Sequence, residues 1–160
     1  MEKDQKRITH SLEQIFQKTL RFIGFRPRSQ KEILFYLHKK TADEKIIAKI
    51  LEDLTNLGLL DDAAFVDWWL DQRATFRPKG KRALVMELRQ KGIDNNLIQK
   101  AVAEKVNEKE AAASLAEKKL RVWARLPQEI CREKLVGFLE RRGFNWETIK
   151  LILDEKFKKG

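Results

Sequence analysis

The chain repeats itself about every 51 residues. Residues 29–51, 80–102 and 131–153 align so that apolar positions fall into columns. Ile33, Leu84 and Leu135 form one column, and Leu37, Leu88 and Leu139 the next. Ile47, Ile98 and Ile149 form a third, and Leu51, Val102 and Leu153 a fourth. A fixed period of this size marks a helical-repeat array, in which each unit buries its apolar face partly against its neighbours. Arrays of this kind bind extended partners and seldom carry catalysis, so a non-enzymatic role is expected.

Helix punctuation supports the period independently. Ser29 and Glu32 have the spacing of a capping box at the start of a second helix in the first unit, and Asn107 with Glu110 repeats it later. Asp43, Asp94 and Asn145 stand 51 residues apart, each able to cap a third helix through a short side-chain oxygen. Ile93 with Ile98, and Phe144 with Ile149, have staple spacing. Gly92 and Gly143 suit the left-handed stop of the second helix, where Thr41 is a weaker stop in the first unit. Gly58 closes a third helix, Pro78 bars continuation of a first helix, and Pro127 suits a first helical turn.

The expected fold is therefore all-α: three tandem three-helix repeats in an elongated array that can curve. The first helices are placed near Ser11–Phe25, Asp62–Phe76 and Glu108–Arg125. The first two units' third helices are expected to end near Asn56 and Lys105. Residues 1–10 read as an N-terminal tail, followed by repeats over 11–58, 59–106 and 107–160. A three-helix unit of about 50 residues is marginal alone, so packing between units is expected to stabilise it.

Charge narrows the partner. Thirty-four Lys and Arg against 24 Asp and Glu give a net +10, which favours a polyanionic or acidic partner, nucleic acid first. One cysteine, Cys131, can form neither an internal disulfide nor a thiolate cluster, as suits a reducing compartment. The N-terminus lacks an apolar signal core, and no apolar run approaches the ~18 residues of a membrane span. A cytoplasmic monomer without cofactor, metal or membrane is expected. His10 and His38 lack ligand spacing. Lys79-Gly80-Lys81-Arg82 lacks the rest of a phosphate loop.

The densest basic stretch is Arg73, Arg77, Lys79, Lys81, Arg82, Arg89 and Lys91, interrupted only by Glu87. Arg82 and Arg89, seven apart, share a helix face and could follow a phosphate backbone or an acidic groove; a solvated face is the plainer alternative. Lys40, Lys91 and Arg142 form a column that complements helix C-terminal dipoles, which leaves Arg141 as a surface candidate. Arg26 and Arg28 flank Pro27 before a helix N-terminus and could receive a phosphate or carboxylate. A packed corner explains them equally well. Asp61 and Asp62 read as cap and first-turn charge. Asp67 and Asp71 read as partners of the neighbouring basic helix. Trp68, Trp69, Trp123 and Trp146 read as core or inter-repeat packing.

Three motifs taken in order add a family. Arg26-Pro27-Arg28-Ser29-Gln30-Lys31-Glu32-Ile33 opens the second helix. Gly58-Leu59-Leu60-Asp61-Asp62-Ala63-Ala64-Phe65, then Arg73 and Lys91-Gly92-Ile93, mark the central unit. Phe138-Leu139-Glu140-Arg141-Arg142-Gly143-Phe144, then Ile149, marks the last. In this the chain resembles the bacterial RecX regulators of the RecA recombinase, with Pro27, Ile33 and Thr41 as departures. The resemblance implies a nine-helix, three-repeat fold. It implies binding to RecA–DNA filaments, restrained filament growth, and suppressed ATPase and strand exchange. Partners are then the RecA filament and single- and double-stranded DNA. Contact residues are expected among Arg26, Arg28, Arg73, Arg77, Lys79, Lys81, Arg82, Arg89 and Arg141. A stand-alone nucleic-acid-binding repeat protein is the alternative, and an adaptor for an acidic protein a third reading.

Overall fold

The structure, a computed structural model, describes residues 1–157; the last three residues of the expected third repeat, 158–160, lie outside it. Among the described residues there are nine α-helices and no strand. They are α1 (Glu2–Phe25), α2 (Gln30–Lys40), α3 (Glu44–Asn56), α4 (Asp62–Phe76), α5 (Lys81–Gln90), α6 (Asn95–Lys105), α7 (Glu108–Val122), α8 (Gln128–Arg141) and α9 (Trp146–Lys156). Taken in threes, they are three tandem three-helix repeats.

The caps form where short polar side chains stand. Ser29 and Glu32 make the reciprocal capping box. Asp43, Asp94 and Asn145 each accept a backbone N–H in the first turn of α3, α6 and α9. Each satisfies a donor that the helix cannot pair internally. Asn107 caps α7 by accepting from the Glu110 N–H.

Three boundaries differ from expectation. α1 begins at Glu2, nine residues before Ser11, so residues 2–10 are helical rather than a tail. Nothing in them breaks a helix, and Glu2 and Asp4 complement its N-terminal dipole. Residues 1–11 are all exposed, which is why apolar periodicity could not reveal this helical turn. α7 stops at Val122 rather than Arg125, where the Trp123 N–H turns back onto Lys119 and Arg121 carbonyls. Pro127 is the N-cap of α8 rather than part of its first turn.

The chain divides into two compact units. One is Met1–Phe65 with Lys91–Ile93; the other is Val66–Gln90 with the chain from Asp94 onward. The division falls inside α4, not at a repeat boundary. The first unit is thus the first repeat together with two ends of the second that pack on it.

In the first unit, Ile33 and Leu37 of α2 meet Ile46, Ile47, Ile50 and Leu54 of α3, with Ile15, Phe16 and Leu20 of α1 against them. In the second, Leu135 and Leu139 of α8 pack with Ala112, Leu115 and Ala116 of α7 and Ile149, Ile152 and Leu153 of α9. Leu84, Leu88, Ile98 and Val102 hold the same columns in the second repeat and are buried. The columns are therefore core throughout, except that Leu51 is only half-buried. Each fully buried aliphatic side chain contributes roughly 1.5–3 kcal/mol.

Glycine does two jobs at the ends of α5 and α8. Gly92 and Gly143 adopt φ of +77° and +84°. They also sit where a side chain has no room. A Cβ on Gly92 would lie 2.7 Å from Lys31 Cβ at the start of α2. One on Gly143 would lie 2.3 Å from Ala83 Cβ at the start of α5. In each unit, then, the glycine end of one second helix presses on the first turn of the previous repeat's second helix. Gly80 completes the second joint by donating its N–H to the Arg142 carbonyl at 2.8 Å. Thr41, in the same column, stays extended at φ −155° and ends α2 without a left-handed residue.

Candidate functional site

Carboxylates organise the cationic side chains, and they do so repeat by repeat. The first residue of an A helix caps the B helix of the repeat before it. Asp62 Oδ1 accepts the Gln30 N–H at 2.8 Å. Fifty-one residues past Gln30, the Lys81 N–H donates to Glu108 Oε1 at 3.1 Å. Glu108 is buried, and its carboxylate also accepts from Asn145 N at 3.4 Å, Asn145 Nδ2 at 2.7 Å and Thr148 Oγ1 at 3.0 Å. Burial pushes the Asp62 carboxyl up, against the lowering effect of the Gln30 N–H.

At the first A–B corner the anion site is already filled from within. Arg26 Nη2 lies 2.5 Å from Glu32 Oε2, and Lys91 Nζ lies 3.4 Å from the same oxygen. Burial alone would raise the Glu32 carboxyl. The Arg26 hydrogen bond, the Ser29 N–H and the Arg26 and Lys91 charges outweigh it and hold the group below its ordinary value. Arg28 turns inward as well. Its Nε donates to the Phe22 carbonyl at 3.0 Å, and its guanidinium lies 3.9 Å over the Phe22 ring. Phe22 in turn stacks on Tyr36 at 4.2 Å and 6°.

Counting 51 residues on from Phe22, Arg28 and Tyr36 gives Arg73, Lys79 and Glu87, and the chemistry changes at all three together. Arg73 Nε donates to Glu87 Oε2 at 3.0 Å, Trp69 Nε1 to the same oxygen at 2.8 Å, and Lys79 Nζ to Oε1. An aromatic–cation stack in one repeat is an ion cluster in the next. Burial would raise the Glu87 carboxyl, but the Lys79, Trp69 and Arg73 hydrogen bonds leave it below its ordinary value.

The sign of that shift gives a prediction. A carboxylate held low stabilises the fold above its unfolded value, near pH 4.5, and loses that contribution as pH falls through its folded value. Glu87→Gln is therefore expected to cost about 1–2 kcal/mol at pH 7. Its urea midpoint should fall less steeply than the wild type's below about pH 4.5. Parallel slopes for the two proteins would contradict the shift.

The basic stretch thus does not present itself as one face. Arg73 and Lys79 close on Glu87, and Lys91 on Glu32. Lys81 is half-buried. Arg82, though exposed, donates to the Glu140 carbonyl at 3.1 Å, which brings it to the end of α8 beside Arg141. Arg89 Nη2 reaches Asn95 Oδ1 at 3.1 Å. Arg77 and Arg141 are exposed. Arg77, Arg82, Arg89 and Arg141 are the sequence candidates left turned to solvent, and all four belong to the second unit.

Other charges find structural partners. Asp67 pairs with Lys105 of α6 at 2.8 Å, rather than with the basic helix α5. Lys40 lies 5.2 Å over the Tyr36 ring and Arg142 5.1 Å over Phe138. Trp68 and Trp69 meet edge-on at 6.3 Å and are half-buried, whereas Trp146 is 58% exposed rather than packed. Among the described residues no cluster of His, Cys, Asp and Glu could hold a metal ion. No described helix is long and apolar enough to cross a membrane.

Reasoning from sequence missed Glu108 and Glu87. Glu108 stands inside an unremarkable run of alternating charges. The signal for Glu87 was the matched change at positions 73, 79 and 87 relative to 22, 28 and 36, visible only when polar columns are aligned along with apolar ones.

Comparison with known proteins accounts for the whole array. Family models for the first, second and third three-helix domains of RecX match residues 16–54, 61–102 and 107–153. The Regulatory protein RecX of Chlorobaculum tepidum is 38% identical over 141 residues, covering 86% of this chain and 87% of that protein. The Regulatory protein RecX of Mycolicibacterium smegmatis is 37% identical over 140 residues, 83% of this chain and 74% of that protein. The crystal structure of RecX from Lactobacillus salivarius superposes with a TM-score of 0.77 at 22% identity, over 92% of this chain and 97% of that one.

Proposed function

Since this chain belongs to the RecX family of regulatory proteins, we propose that it binds the RecA recombinase–DNA filament and restrains its ATPase, strand exchange and growth. The observation that carries this reading is the match of all three repeats, in order, to RecX domains. Each repeat, taken as 11–58, 59–106 and 107–160, is a docking unit that meets one stretch of filament. Restraint follows from occupancy: a strap on several protomers opposes the movements that ATP turnover requires.

The net charge of +10 supplies attraction to an acidic groove or to the enclosed DNA. Arg77, Arg82, Arg89 and Arg141 are the exposed side chains best suited to it. Arg26, Arg28, Arg73 and Lys79 act instead by holding the A–B corners on which those side chains stand. The protein works as a cytoplasmic monomer and performs no chemistry of its own.

The test is ATP hydrolysis by RecA on single-stranded DNA as the protein is added. Hydrolysis is expected to fall to a low plateau; an unchanged rate at saturating protein would sink the proposal. Reversing Arg77, Arg82 and Arg141 to Glu should raise the inhibitory concentration about 10- to 100-fold and flatten its salt dependence. Inhibition indifferent to both would remove the electrostatic part. The same +10 charge supports a second reading, independent DNA binding. That reading requires affinity for bare DNA as tight as for filaments, falling steeply with salt.

A further inference from the structure

Each A helix ends on an apolar residue that the fold does not bury. α1 ends at Phe25, α4 at Phe76 and α7 at Val122, with 84%, 77% and 75% of their surface exposed. A proline follows each within a few residues, Pro27, Pro78 and Pro127, and bars the helix from continuing. Two of the corners repeat almost letter for letter, Phe25-Arg26-Pro27-Arg28 and Phe76-Arg77-Pro78-Lys79.

Packing does not require this recurrence. A single exposed apolar side chain needs no explanation. Three at the same structural position, in three repeats whose buried columns are otherwise well filled, call for one.

The surroundings are cationic each time. Phe25 lies one helical turn from exposed Arg21 and beside Arg26; Phe76 lies beside exposed Arg77; Val122 lies beside exposed Arg121 and near exposed Arg125. The carboxylates closest by are already engaged. Glu32 holds Arg26, Glu87 holds Arg73 and Lys79, and Glu117 holds Arg121 at 2.7 Å. Each corner is thus an apolar tip set among positive charges. The complementary surface is a shallow apolar spot rimmed by carboxylates.

We propose that Phe25, Phe76 and Val122 are three copies of one contact element, each seating on an apolar, acid-rimmed spot of a partner built from identical protein subunits. The proposal rests on the filament reading and names the residues that make the protein contact. A repeated tip finds equal use only where the partner repeats as well. Nucleic acid fits less well. Base stacking needs a ring or a guanidinium plane at each position, and Val122 offers neither.

The test uses Phe25→Ser, Phe76→Ser and Val122→Ser, singly and together, in the full chain. Binding is measured to RecA filaments assembled on oligo(dT) with a slowly hydrolysed ATP analogue, and to bare oligo(dT). Each single change should weaken filament binding about 3- to 10-fold and the triple change about 100-fold or more. Bare-DNA affinity should stay within about twofold, and thermal unfolding within about 2 °C, because these side chains are exposed.

Leucine at all three positions restores the apolar surface without a ring and should restore filament binding. A triple serine variant that binds filaments like wild type overturns the proposal while leaving the filament reading intact. Loss of bare-DNA affinity in proportion to filament affinity, with no rescue by leucine, overturns it in favour of base stacking. A wild-type protein that binds no filament overturns both.

Discussion

Replacing Glu108 by alanine is expected to cost the fold about 3–5 kcal/mol and to lower its melting temperature by roughly 10 °C. The carboxylate accepts the Lys81 N–H of α5, the Asn145 backbone and side-chain amides at the start of α9, and the Thr148 hydroxyl. It stands itself on the first residue of α7. Three helix N-termini therefore converge on one buried anion, the charge that helix dipoles favour there. Alanine leaves those donors facing protein with nothing to accept them, and each buried unsatisfied group costs ~1–3 kcal/mol. Glu108→Gln should recover only part of the loss, because an amide offers one accepting oxygen where two are used. Chemical denaturation monitored by helical circular dichroism measures all three proteins. A loss below about 1 kcal/mol for the alanine variant would show that the donors find other partners.

Gly143→Ala should be nearly as damaging, for a different reason. The residue holds φ +84°, where an L side chain is strained by about 1–2 kcal/mol. Its Cβ would also meet Ala83 N at 2.6 Å and Ala83 Cβ at 2.3 Å, atoms of a helix that cannot bend aside. A total above about 3 kcal/mol is expected.

Two other glycines separate the causes. Gly58 has φ +69° with nothing within 4 Å of the missing Cβ, so Gly58→Ala should cost only the backbone strain, about 1 kcal/mol. Gly80 shows no positive φ, yet a Cβ there would lie 2.2 Å from the Gly143 carbonyl oxygen. Gly80→Ala therefore reports the close approach alone. Equal midpoints in urea for the Gly58 and Gly143 variants would mean that this joint is looser than the structure has it.

Much of the fold could be read from the chain because its signals were local. Capping residues announce a helix start within a turn of themselves, so Asp43, Asp94, Asn107 and Asn145 marked four starts. Aliphatic columns gave the buried faces, since an apolar side chain in a helical pattern has one favourable place to go. The start of α1 was hidden because its first turns bury nothing.

The surface was harder to read. Charge in a sequence does not say which carboxylate a cation will meet. Arg26 and Arg28 read as an open anion receptor, but Glu32, six residues after Arg26, fills it. Arg73 and Lys79 looked like the middle of a basic strip until Glu87, the only acid within it, drew both inward. Glu108 is reached by residues 27, 37 and 40 positions away, a convergence no local pattern encodes.

The exposed tips were legible in part. The repeated Phe-Arg-Pro is visible in the letters, but apolar residues at helix ends are ordinarily assigned to the core. Their exposure becomes known only once the helices are packed.

The central claim is that this array attaches to a filament rather than to its separate components. The most direct measurement is the affinity of the fluorescently labelled protein, at one salt concentration, for three targets: RecA filaments on single-stranded DNA, RecA without DNA, and the same DNA without RecA. Saturable binding to the filament, at least about 10-fold tighter than to either component, is the predicted result. Equal affinity for bare DNA and for the filament, or no binding to the filament at all, would contradict it.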